Sequence, residues 1–152
     1  MPGGVAQFTA LVEAEPTIEA DAAAREAFAA TGTPDGVLQD PTITIHTKAD
    51  PLVIAQNETV FAEKVAAAED RTADLVQLYT VAPATYPATP GAPYGAGHCN
   101  FTSDTQLALV ELMDNWVRNG VFPGANAVAE AMGTESGYNA AYQPGPWPID
   151  AL

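Results

Sequence analysis

Hydrophobic and polar positions divide the chain into stretches of different period. Residues 1–17 show no clear period and read as irregular or marginally helical. From about Ile18 to Ala30 the run IEADAAAREAFAA is rich in strong helix formers, and Gly32 supplies a stop. Its apolar face is weak, with Phe28 as the largest residue, so a surface helix is expected. Thr33-Pro34-Asp35-Gly36 is a turn signal. Residues 41–47, PTITIHT, are dense in β-branched side chains and bounded by Pro and Asp, which predicts a strand.

Asn57 to about Arg71 reads as a helix, with Ile54, Phe61, Val65 and Ala68 forming an approximate stripe. Residues 75–81, LVQLYTV, predict a second strand, apolar on both faces, as in a strand covered by helices on both sides. Strand, helix and strand joined by short links make a βαβ unit with parallel strands. A Pro/Gly-rich loop follows over 83–97. A third helix comes next, with Ser103 and Gln106 spaced as a capping box. Leu109, Val110, Met113, Trp116 and Val117 give it a broad apolar stripe, and Gly120 ends it. Residues 123–152 hold one short helix near 125–132, and the rest reads as a tail. The resulting organisation is an N-terminal segment over 1–36, an α/β core segment over 37–120 and a C-terminal tail over 121–152. Two strands do not make a stable sheet alone, since three or more are normally needed. The fold class is therefore α/β, and the chain reads as part of a larger sheet.

Composition narrows the function classes. Five Lys and Arg against nineteen Asp and Glu give a net charge of −14, yet only 16% of residues are charged, below the usual quarter or so. The imbalance is a shortage of bases, namely Arg25, Lys48, Lys64, Arg71 and Arg118. They form no cluster, which argues against nucleic-acid binding and against an anionic membrane surface. No apolar run has the length of a membrane span. Met1-Pro-Gly-Gly-Val lacks a basic flank followed by an apolar core, so no signal peptide is read there and the compartment stays open. Cys99 is the single cysteine, which excludes a disulfide within the chain. The sequence holds two serines, Ser103 and Ser136.

The candidate chemistry lies just past the two strands. Asp50 follows the first, and His98 sits in the long loop after the second. Loops at the C-terminal ends of parallel strands converge on one rim, where ligands bind. An acid and an imidazole there supply what a hydrolytic base needs: the carboxylate fixes the tautomer, and the other ring nitrogen takes a proton. The competing readings are ordinary. Asp50-Pro51 is common turn chemistry, His98 could be structural, and His46, inside a strand, reads as a packing or hydrogen-bonding residue. No spacing such as H-x₃-H supports a metal site from His46, Asp50 and His98. Trp116 reads as core and Trp147 as a loop anchor.

The stretch PTITIHTKADPLV, a helix, LVQLYTV and then YGAGHCNFTSDTQLALVELMDNWVRNG resembles the C-terminal part of an α/β-hydrolase over residues 37–120. That resemblance implies a mostly parallel sheet, of which this would be the C-terminal βαβ-α portion. It implies Asp50 as triad acid and His98 as triad base, ester hydrolysis by acyl transfer as the activity, a small-molecule ester as substrate, and no cofactor or metal. His98-Cys99 is similar to tannase- and feruloyl-esterase-like hydrolases, in which a Cys after the catalytic His pairs with one before the nucleophilic Ser. By that likeness the partner of Cys99 lies outside this sequence; otherwise Cys99 is a small buried thiol. The sequence departs from the family at the nucleophile, because no G-x-S-x-G elbow occurs. Ser136, in Gly133-Thr134-Glu135-Ser136-Gly137, has the wrong spacing and follows the His, and Ser103 reads as a helix cap. The alternatives are an inactive fragment or interaction module, or one half of a split hydrolase. An exposed sheet edge with apolar faces also predicts self-association.

Overall fold

A computed structural model describes residues 4–14, 19–50, 52–68, 71–81, 98 and 101–147. It divides into two compact units, residues 1–33 and 34–152. The first contains α1 (Gly4–Glu13) and α2 (Ala22–Gly32). Helix α1 falls where the sequence pattern reads as irregular or marginally helical. Helix α2 starts later than Ile18 because Asp21 caps it, its side chain accepting from the Ala24 N–H at 3.0 Å. It buries none of its residues.

The second unit is a mixed α/β fold around a two-stranded parallel sheet, β1 (Thr42–Thr47) beside β2 (Leu75–Thr80). They are connected by α3 (Gln56–Ala67) and a short 3₁₀ turn, Thr72–Asp74. The register runs from Thr42 opposite Leu75 to Thr47 opposite Thr80. Lys48 extends the ladder by donating to the Thr80 carbonyl at 2.8 Å. Alternation then assigns the faces. Ile43, Ile45, Val76 and Leu78 point to one side and meet α4 (Ser103–Asn119) and α5 (Ala125–Met132). There Leu78, Ala108, Leu112, Val128 and Met132 close the core.

The opposite face is polar, which corrects the reading of the second strand as apolar on both sides. Gln77 points toward α3 and donates from Nε2 to the Glu58 carbonyl and to Glu58 Oε2, both at 2.8 Å. Thr44 of β1 donates to the same carboxylate. Tyr79 is buried on this face. Burial, then the charges of Glu58 and Tyr142, push its phenol up to about 12.

Three further details differ from the sequence reading. Helix α3 ends at Ala67, short of the expected Arg71. Arg71 instead bonds Asp74 and the Leu38 and Gln39 carbonyls, tying the approach to β1 to the start of β2. On α4 the buried positions are Thr105, Ala108, Leu112 and Trp116, spaced by three or four residues. Val110 and Val117 stay 64% and 61% exposed.

The segment read as a tail packs on the core. Val128 and Met132 of α5 are buried, and Thr80 of β2 pairs antiparallel with Tyr138. Two 2.8 Å backbone bonds flank that bridge, Val81 N–H to Gly137 and Asn139 N–H to Tyr79. This segment occupies the β2 edge away from β1. Among the described residues no strand pairs with the other edge of β1.

Candidate functional site

The β1–α3 connection is organised by one carboxylate. Asp50 Oδ1 accepts the backbone N–H of Leu52 at 2.8 Å and of Val53 at 2.9 Å, holding the turn that leads from the strand toward α3. Asp50 Oδ2 accepts from His98 Nδ1 at 2.7 Å. One oxygen of Asp50 thus serves the turn and the other meets His98. The Asp50 side chain keeps only 3% of its surface. Burial alone would raise its pKa. The N–H groups of Val53 and Leu52, then the hydrogen bond and charge of His98, outweigh it and bring the carboxyl down to about 2.

His98 lies beyond β2, forty-eight residues along the chain, and its side chain is 42% exposed. Because the carboxylate only accepts, Nδ1 carries the proton in the neutral ring and Nε2 is the basic nitrogen. The arrangement is an oriented imidazole, suited to taking a proton from a nucleophile and returning it to a leaving group. His46 is buried within β1, its Nδ1 donating to the Thr47 carbonyl at 2.7 Å, as a packing and hydrogen-bonding residue would.

The serines stand apart from this pair in role. Ser136 donates to the Gly133 carbonyl at 3.0 Å and accepts the Tyr138 N–H at 3.1 Å, so its hydroxyl is used in the 3₁₀ turn Thr134–Ser136. Ser103 is the first residue of α4 and not its cap. Thr102 holds that position, its Oγ accepting the Thr105 N–H at 3.1 Å. Cys99 and the 83–97 loop lie outside the described residues. Among those described, no cluster of three or more His, Cys, Asp or Glu has the arrangement of a metal site. Nor is any helix long and apolar enough to cross a membrane.

Sequence reasoning singled out Asp50 and His98, which the structure brings together, but missed a cleft elsewhere. Asn57, Val60, Phe61 and Lys64 line a cleft with Pro34 and Trp147. The available signal was the spacing of these four residues on one face of α3; the sequence stripe joins Phe61 to Val65, of which only Val65 is buried.

Comparison with protein-family models, with curated proteins and with solved structures finds no match.

Proposed function

We propose that this chain is the C-terminal part of an α/β-hydrolase, contributing Asp50 and His98 of a Ser-His-Asp triad to carboxylic-ester hydrolysis. One observation carries the reading: the 2.7 Å bond from His98 Nδ1 to Asp50 Oδ2, made between segments that follow two adjacent parallel strands. A serine hydroxyl supplied from outside this sequence attacks the ester carbonyl carbon while His98 Nε2 takes its proton. Asp50 holds the ring and stabilises the imidazolium. As the tetrahedral adduct collapses, the C–O bond to the alcohol breaks and the imidazolium returns the proton to the departing oxygen. Water then repeats the sequence on the acyl-enzyme, releasing the carboxylic acid and regenerating the serine. The oxyanion donors also come from the nucleophile-bearing part. The His98-Cys99 pair supports a tannase- or feruloyl-esterase-like parent.

A second reading, an interaction module or one half of a split hydrolase, is favoured by the outer edge of β1, which pairs with no strand among the described residues. Beside it lies the apolar flank of α4, where Ile43, Leu109, Val110, Met113 and Val117 line an open groove. A completing half would cover this groove, and in its absence a second copy would.

Both readings are tested with a chromogenic short-chain ester. The chain alone is expected to give no turnover. Expressed in one polypeptide with its upstream coding sequence, it is expected to turn over, with a G-x-S-x-G following a strand in that upstream part. His98→Ala and Asp50→Asn are each expected to lower kcat by about 10⁴-fold there. Turnover by the chain alone that vanishes in His98→Ala would show that no outside serine is needed. Full activity of the completed His98→Ala enzyme would remove the triad assignment.

A further inference from the structure

A second site is built on the outward face of α3. Asn57, Val60, Phe61 and Lys64 stand at i, i+3, i+4 and i+7, so one helix face carries all four. Pro34 from before β1 and Trp147 from after the Thr80–Tyr138 bridge complete an open cleft of about 390 Å³, within the range of small-molecule sites. Both outer walls are anchored. Gly36, at φ +82°, lets its turn press against the end of α3, where a Cβ would lie 2.1 Å from the Lys64 carbonyl oxygen. On the other side the Thr59 hydroxyl donates to the Gly145 carbonyl at 2.9 Å, holding the chain that carries Trp147 beside the helix.

The lining has a definite chemical order. Its middle is apolar, with Val60, Phe61, Pro34 and Trp147. Its two polar residues lie at opposite ends, since seven helical residues separate Asn57 from Lys64 by roughly 10 Å. The base is unspent. Arg71 pairs with Asp74, Arg118 pairs with Asp114, and the Lys48 ammonium sits 5.1 Å from the centre of the Tyr142 ring. Among the described residues Lys64 has no carboxylate within 4.0 Å, in a chain with nineteen Asp and Glu. The Asn57 side chain likewise has no hydrogen-bond partner among them.

We propose that this cleft binds an elongated aromatic monocarboxylate, with its ring against Phe61 and Trp147, its carboxylate on Lys64 and a hydroxyl at its far end on Asn57. Two aromatic walls supply the affinity for a flat ring. The ammonium selects an anion, and the distance between the polar ends selects length. Nothing in this assignment depends on Asp50 or His98.

The test is a titration of the whole chain followed by the indole N–H resonances of Trp116 and Trp147, distinguished with Trp147→Phe. The probes are 3-(4-hydroxyphenyl)propanoate, its primary amide, and 3-phenylpropanoate. The hydroxylated acid is expected to move the Trp147 signal saturably, while the buried Trp116 signal stays in place. Lys64→Met is expected to weaken that binding about tenfold with an unchanged unfolding midpoint. Asn57→Ala is expected to weaken the hydroxylated acid toward 3-phenylpropanoate and leave the latter unaffected. Equal binding of acid and amide, unchanged binding by Lys64→Met, or a shift that grows without saturating would each overturn the assignment. An unchanged Lys64→Met response would leave the lysine as no more than a favourable charge at the C-terminal end of α3.

Discussion

At the scale of single residues, Asp50 couples the site to the stability of the fold. Its folded-state pKa, about 2, lies below the ordinary 3.8, so the native state favours the charged form. That stabilisation is present above about pH 3.8 and is lost as pH falls through about 2. Unfolding midpoints of the native chain and Asp50→Asn are therefore expected to differ most above pH 4 and to converge toward pH 2. A gap that stays constant across that range would mean the carboxylate's charge contributes nothing. Asn keeps an oxygen for the Leu52 and Val53 N–H groups, so the comparison isolates the charge from the turn. His98, bonded through Nδ1 among the described residues and partly open to solvent, is the more exposed member of the pair.

At the scale of elements, the start of α4 offers a direct measurement. Thr102→Ala is expected to cost about 1 kcal/mol, because it removes the oxygen that accepts the Thr105 N–H. Ser103→Ala is expected to change stability by a few tenths at most, which chemical denaturation resolves. Equal losses would return the cap to Ser103. The capping residue was misread by one position because Thr102 and Ser103 are both good caps, and only backbone geometry distinguishes them. The strands and the order strand–helix–strand were legible because the β-branched run at 42–47 and the largely apolar run at 75–80 are locally decisive. The position of Asp50 and His98 at the strand ends followed from that order. The polar character of the α3 side was less visible, since Gln77 and Thr44 are ordinary in a sequence. They become a network only when Glu58 is brought between them. The C-terminal segment was illegible for a related reason: the Thr80–Tyr138 bridge joins residues far apart in sequence and leaves no periodic trace.

At the scale of the whole molecule, the edge of β1 left unpaired among the described residues and the exposed valines of α4 predict behaviour in solution. Light scattering on the chain alone is expected to show self-association that grows with concentration. Val110→Glu with Val117→Lys is expected to restore the monomer, because charges on an apolar flank oppose its burial. Native chains that stay monomeric across a wide concentration range would count against this surface as an interface. The same molecule also carries a lesson about descent, drawn from the two oxygens of Asp50. If the proposed ester hydrolysis were lost in some lineage, the Leu52–Val53 turn would still need the acid. The imidazole at position 98 bonds only Asp50 among the described residues and would be freer to drift. Persistence of Asp50 alone would then testify to architecture, and only its joint persistence with His98 would testify to chemistry.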